Sequence, residues 1–255
     1  MAKTSSASGP FTHKNMKITY IRHAESVNNH SFYMHGNGEK YVLDPPLSEL
    51  GEQQAAALAD FLTANLEEFD FDRIYISPFL RTLQTAAAFC HLYPDIPKIV
   101  CPWIYEGGGC REILSQDPSV VKISSGMGRS EILEKFPDFT VEEDIEKPIT
   151  DEGWYTLGEV EPESHVFYRA VETIEYFTKQ HPYPEEHIAL ISHGNFFNHL
   201  VSAILEGRKQ FRFYLGVENT SISQFSYQSY EENPRHPGFW RIEYMNRFEW
   251  LRGTD

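Results

Sequence analysis

Arg22 and His23 stand side by side where an apolar run, Ile18-Thr19-Tyr20-Ile21, gives way to polar sequence. An arginine carries a permanent, forked cation that matches phosphoryl oxygens, and a neutral imidazole beside it can attack an electrophile or carry a proton. The pattern repeats. Ser77-Pro78 and then Arg81 follow the run Arg73 to Ile76, Glu106 comes shortly after Lys98 to Cys101, and Ser192-His193-Gly194 follows His187 to Ile191. These segments supply two arginines, two histidines and a carboxylic acid, with no metal-ligand spacing among them. Such a set suits transfer of a phosphoryl group to a histidine nitrogen, with arginines balancing the equatorial oxygens and the acid serving the leaving group.

Residues so far apart can meet only if the elements before them end at one edge. The four runs are short, apolar and rich in Ile, Val or Tyr, which predicts strands at Lys17 to Ile21, Arg73 to Ile76, Lys98 to Cys101 and His187 to Ile191. Helical patterns lie between them. Ser48 is placed to cap a helix through Glu52, Ala55, Leu58 and Leu62, Pro78 to open one through Leu83, Ala86 and Phe89, and two more fit Val160 to Lys179 and the residues after Gly194. Strand-helix alternation of this kind predicts an α/β fold, a mostly parallel central sheet with helices on both faces, whose ligand binds beyond the carboxyl ends of the strands. The stretch from about 111 to 158, broken by Pro118, Gly126, Gly128, Pro137, Pro148 and Gly153, is expected as a cap insertion over that crevice. Ser221 to Tyr227 and Phe239 to Met245 are expected as a C-terminal strand pair, and Met1 to Asn15 as a mobile tail ahead of a single domain, 16–255.

Composition narrows the partners. With 255 residues, 41% of them hydrophobic, the chain can bury one substantial core. A net charge of -15 argues against a general nucleic-acid or anionic-membrane binder, so any positive field for an anionic ligand must be local. Cys90, Cys101 and Cys110 are too few and too scattered for a disulfide framework or a zinc site, and are expected as buried thiols in a reducing compartment. No run reaches the roughly 18 apolar residues of a membrane span. A soluble, cytoplasmic protein is expected.

The blocks also carry a family resemblance. Arg22-His23-Ala24-Glu25-Ser26 with Asn29, then Asp44-Pro45-Pro46-Leu47-Ser48-Glu49-Leu50-Gly51, then Ser77-Pro78-Phe79-Leu80-Arg81-Thr82-Leu83-Gln84-Thr85-Ala86, then Ser192-His193-Gly194, resemble in order the blocks of the histidine phosphatase superfamily, which includes cofactor-dependent phosphoglycerate mutases. Asn219-Thr220-Ser221-Ile222 resembles a late block of its phosphatase members. The resemblance implies a phosphoglycerate mutase-like fold in which His23 becomes phosphohistidine, Arg22, Arg81 and His193 surround the phosphoryl group, and Asn29 donates a further hydrogen bond. Glu106, in Trp103-Ile104-Tyr105-Glu106-Gly107, stands where the family keeps its proton donor. The implied substrate is a small phosphorylated metabolite or a phosphoprotein, and no cofactor is implied.

Several choices stay open at this level. Glu112 competes with Glu106, which the resemblance favours, and Asn28 with Asn29, which the spacing favours. Gly107-Gly108-Gly109 has neither the Lys-Ser/Thr of a P-loop nor a dinucleotide fingerprint, and is expected as a flexible rim. The family keeps glycine where this chain has Ala24, which would strain the site by on the order of 1 kcal/mol if that position needed positive φ. Arg111, Lys122 and Arg129 are candidates to reach a second anionic group. Hydrolysis of a phosphate monoester leads, ahead of a phosphoglycerate-type mutase and of a silent phosphate-binding scaffold, because the residues after Glu106 lack the Arg-rich, Tyr-containing blocks of the mutases.

Overall fold

The structure, a computed structural model, describes residues 13–35, 42–114, 120–143, 147–180, 185–206, 214–230 and 238–251. Nine strands and six α-helices follow one another among them: β1 (His13–Arg22), α1 (Val27–His35), α2 (Glu49–Ala64), β2 (Arg73–Ile76), α3 (Leu80–Cys90), β3 (Lys98–Val100), β4 (Arg111–Ile113), β5 (Val121–Ile123), α4 (Arg129–Lys135), β6 (Thr140–Val141), α5 (Glu163–Glu175), β7 (Glu186–Ser192), α6 (Gly194–Ile204), β8 (Ile222–Tyr230) and β9 (Phe239–Arg247). The main sheet has seven strands in the order β6-β3-β2-β7-β1-β8-β9. Its first five are parallel, whereas β8 runs antiparallel to β1 and β9 antiparallel to β8. This is the mixed α/β architecture expected.

Every residue of β7 is buried, as a central strand covered on both faces requires. Period-two alternation sorts the strand residues into two cores. Ile21, Ile74, Ile76 and Ile191 pack with Leu58, Leu62, Leu83 and Phe89 of α2 and α3 on one face. Ile18, Tyr20, Tyr75 and Leu190 pack with Val166, Phe196, Phe197 and Leu200 of α5 and α6 on the other. Leu58 and Leu62 are both fully buried, each worth roughly 1.5–3 kcal/mol of transfer free energy.

The register sets the site. Arg22 lies opposite Ser192, Ile76 opposite Ile191, and Val100 opposite Ile76. Four adjacent strands therefore end at one rim.

Local details depart from the sequence reading. β1 begins at His13 rather than Lys17, because its pairing with β8 extends to His13 opposite Tyr230; residues 1–12 of the expected tail lie outside the described residues. Pro78 does not open α3. Ser77 to Phe79 stay outside the helix, Phe79 with extended backbone, and the helix starts at Leu80, whose N–H is taken by Asp44 Oδ1 at 2.8 Å. Ser48 caps α2 as expected, accepting from the Gly51 N–H at 3.0 Å. The insertion does more than cover the crevice, since Thr140 and Val141 add a strand beside β3 while β4 and β5 form a separate antiparallel pair. No helix among the described residues is long and apolar enough to cross a membrane.

Candidate active site

His23 is gripped through its backbone. Its N–H donates to the Ser192 carbonyl at 2.9 Å, and its own carbonyl accepts from Asn219 Nδ2 at 2.8 Å and the Thr220 N–H at 3.4 Å. Thr220 takes φ +57 to make that approach, and Trp250 Nε1 donates to its hydroxyl at 3.1 Å. Asn219 and Thr220 thus clamp the backbone of His23.

The ring's polarity follows from its partners. His23 Nδ1 lies 2.7 Å from the Ala24 carbonyl, which can only accept, so Nδ1 carries the hydrogen and Nε2 the lone pair. Arg81 Nε donates to that Nε2 at 3.2 Å. Arg81 Nη2 is also 3.1 Å from His193 Nδ1, which must therefore accept, leaving His193 Nε2–H to donate to Ser77 Oγ at 2.7 Å. Burial holds both imidazoles well below their ordinary pKa of 6.5, and the Arg81 guanidinium pushes each further down, with Arg22 adding to the effect on His23. Two neutral rings sit between two fixed cations.

Arg81 stacks over the Phe79 ring at 4.0 Å, and Phe79 meets the His193 ring edge-on at 5.1 Å. Arg22 lines the cleft and donates through Nη1 to the Val217 carbonyl, while its Nε is buried with no hydrogen-bond partner. His193 is anchored from behind by Tyr20, whose hydroxyl donates to the His193 carbonyl at 2.7 Å and accepts from its N–H at 3.0 Å.

Glu106 faces this cluster from the start of α6. Its Oε1 accepts the N–H groups of Gly107 and Phe196, both at 2.9 Å, and its Oε2 takes one longer bond from the Asn195 N–H at 3.3 Å. The positive end of α6 holds the carboxyl, and Oε2 keeps a lone pair for other work. The neighbouring glycines are packed, not a loose rim: a β-carbon at Gly107 would stand 2.2 Å from Asn195 Oδ1, and one at Gly109, where φ is +75, 2.0 Å from the Tyr155 ring.

Arg22, His23, Asn29, Arg81, Glu106, Asn195 and Arg111 line one cleft of about 540 Å³. Arg111 and Ile113 line it from β4, so alternation turns Glu112 away, toward its partner position Lys122. Asn28 reaches the cleft too, but both ends of its amide bond the Val42 backbone, at 2.9 and 3.0 Å. Asn29 uses only its Oδ1, accepting from the Ser26 N–H and hydroxyl, which leaves its amide NH2 to offer. Lys122 is not on the cleft wall, and Arg129, the first residue of α4, lies 3.7 Å from Glu143. Ala24 has ordinary backbone geometry, donates its N–H to Thr85 Oγ1 at 3.0 Å and packs its methyl among Leu47 and Ala55, so no strain arises there. Cys90, Cys101 and Cys110 are buried and form no disulfide. Sequence reasoning missed Asn195 and Asp44; only the place of Asn195, next after Ser-His-Gly at a helix start, offered a signal.

Strand ends that converge on an arginine-flanked histidine pair define a class, and comparison with known proteins names it. Residues 18–105 and 122–237 match the description of the histidine phosphatase superfamily, branch 1, and the chain belongs to that superfamily. Over 69 residues it is 35% identical to fructose-2,6-bisphosphatase TIGAR B of Danio rerio, a stretch covering 27% of this chain and 24%, about a quarter, of that protein. Among solved structures, a mycobacterial hydrolase aligns with a TM-score of 0.58 at 18% identity over 92% of both chains. Phosphoserine phosphatase from Entamoeba histolytica, in complex with 3-phosphoglyceric acid, aligns with a TM-score of 0.55 at 21% identity over 92% of this chain and 99% of its own. These alignments describe the same fold.

Proposed function

We propose that the protein is a phosphomonoesterase that works through a phosphohistidine on His23, with Glu106 as proton donor. The observation that carries this reading is the hydrogen-bond polarity at His23: Nδ1–H is spent on Ala24, so the Nε2 lone pair is the reactive one, and it points at Arg81. A neutral ring is a nucleophile at neutral pH, and burial between arginines supports that state.

In the first step His23 Nε2 attacks phosphorus, the bond from phosphorus to the ester oxygen breaks, and Glu106 delivers its proton to the departing oxygen. Arg22, Arg81 and Asn29 hold the equatorial oxygens where negative charge accumulates. In the second step ionised Glu106 takes a proton from water, the water oxygen attacks phosphorus, and the nitrogen–phosphorus bond breaks to return the lone pair to Nε2. One carboxyl serves both steps by alternating between its two forms. The substrate class supported by the cleft's size and by the phosphoserine and fructose-2,6-bisphosphate in relatives' names is a small phosphorylated metabolite.

The test assays wild type and His23→Ala with phenyl phosphate and with 3-phosphoglycerate plus its bisphosphate activator. Phosphate release from the aryl ester should fall by about 10⁴-fold or more in the variant. Isomerisation of phosphoglycerate outpacing phosphate release would make the protein a mutase, and no turnover of either ester by wild type would make it a binding protein.

A further inference from the structure

Two charged side chains that touch no part of the cleft hold the segment carrying Glu106. Arg169 of α5 and Glu161 form a bidentate pair, Nε to Oε1 at 2.9 Å and Nη2 to Oε2 at 2.7 Å, with only 2% of either side chain exposed. The remaining Arg169 nitrogen, Nη1, donates to the carbonyls of Trp103 at 2.9 Å and Tyr105 at 2.8 Å. The guanidinium lies 3.5 Å from the centroid of the Tyr105 ring and 4.7 Å from that of Phe196. The Tyr105 hydroxyl donates to Glu161 Oε1 at 3.0 Å, and the Glu161 N–H donates to the Gly108 carbonyl at 3.4 Å. The pair therefore grips the chain on both sides of residue 106, and it underlies Phe196, whose N–H holds the Glu106 carboxyl.

We infer that Arg169, locked by Glu161, is a positioning residue that sets the Glu106 carboxyl for proton transfer; this rests on Glu106 being the proton donor. Stability alone is a poor reason for the pair, because desolvation of two buried charges offsets most of their attraction. Geometry is a better one. Five guanidinium donors in a rigid fork can fix two carbonyls and a carboxylate at once, which no lysine or apolar residue does. Ser192 Oγ completes the hold by donating to the Ile104 carbonyl at 2.7 Å. A general acid misplaced by a fraction of an ångström loses its proton-transfer geometry while the nucleophile, built on a different strand, keeps its own.

The leaving group distinguishes this role from a general structural one. Phenolate needs a proton to depart, whereas 2,4-dinitrophenolate does not. Arg169→Lys should lower kcat/KM, which reports the steps through departure of the leaving group and not the shared hydrolysis of the phosphohistidine, by about 10- to 100-fold for phenyl phosphate and by less than about threefold for 2,4-dinitrophenyl phosphate. Glu106→Gln should show the same selectivity, and the double variant no more of it than Glu106→Gln alone. Equal losses on both esters in a folded Arg169→Lys protein, judged by circular dichroism and urea midpoint, overturn the inference, as does additive selectivity in the double variant. Equal losses in Glu106→Gln itself would instead remove Glu106 as the proton donor. If Arg169→Lys does not fold, Glu161→Gln, which keeps the oxygen acceptor and drops the charge, is read by the same criteria.

Discussion

The two walls of the cleft are built by different means. The wall that carries the proposed nucleophile stands on strand ends: Arg22, His23 and His193 are placed by the parallel register of β1 and β7, and Arg81 is the second residue of α3, the helix that follows β2. The wall that carries Glu106, the proposed acid, stands on a loop, where the carbonyls of Trp103, Ile104, Tyr105 and Gly108 are each held by groups from β7, α5 or the turn before α5. A sheet edge positions side chains through backbone pairing that any apolar sequence can make. A loop has no ladder, so the same precision has to come from individual side chains, here a buried ion pair. Charge divides the molecule along the other axis. Three arginines, Arg22, Arg81 and Arg111, and two acids, Glu106 and Glu218, line this cleft, whereas six acids, Glu67, Glu68, Asp70, Asp72, Glu185 and Glu186, and two cations, Lys17 and Arg241, line the cavity at the opposite ends of the strands. The net charge of -15 thus coexists with a cationic site.

The largest effect should come from the nucleophile wall. Arg81→Ala removes the donor that bridges both histidine rings and, in the proposed mechanism, holds the equatorial oxygens, so kcat with phenyl phosphate should drop by about 10²- to 10³-fold. The loss should be alike for phenyl and 2,4-dinitrophenyl esters, in contrast with the leaving-group dependence expected of the acid wall. Near wild-type turnover would remove Arg81 from the site, and a leaving-group-dependent loss would merge the two walls into one.

The same division governs what could be read from the sequence. The nucleophile wall was legible because each of its residues directly follows a short apolar run, and a strand followed by a polar residue is a local signal. Glu106 was legible as a position after β3. Its support was not: Glu161 and Arg169 lie in a stretch of alternating apolar and charged residues that reads as a solvated helix face, and only packing shows both to be buried. Asp44 caps α3 from 36 residues away in sequence, a distance at which no capping pattern is visible, so Pro78 took the role by default. The two residues of β6 are too few for a strand signal, and the glycine triplet reads as slack until Asn195 and Tyr155 are seen against it.

Asp44 offers a smaller effect, of opposite sign to that of the histidines beside it. Burial pushes its carboxyl up to about 6, despite the Leu80 N–H and the nearby Arg81 that pull it down. Between its ordinary value of 3.8 and about 6, the folded chain keeps a proton on Asp44 that the unfolded chain has lost, so this group makes stability fall as pH rises through that window. His23 and His193 do the reverse: below 6.5 the unfolded chain binds protons that the buried rings refuse, so stability rises toward pH 6.5. Asp44→Asn, which retains an oxygen for the Leu80 N–H, should leave the histidine slope unopposed. Its unfolding free energy in urea should climb more steeply than wild type from pH 4.5 to 6, by up to about 1.4 kcal/mol per pH unit. Parallel slopes would mean that Asp44 titrates as an exposed carboxylate does.

Arg111 carries the smallest effect and probes the acid wall from its open side. It stands on the cleft wall but is exposed, so an ion pair it makes with a substrate works in water-like surroundings and is worth at most about 1 kcal/mol. Such a contact acts equally on bound substrate and transition state, and so belongs in KM rather than kcat. Arg111→Ala should raise KM about fivefold for phosphoserine, which bears a second anionic group, and leave KM for phenyl phosphate unchanged. A rise for both esters would place Arg111 on the phosphoryl group itself, with the nucleophile wall; a fall in kcat/KM on phenyl phosphate but not on its dinitrophenyl analogue would make it, with Arg169, part of what holds Glu106 in place.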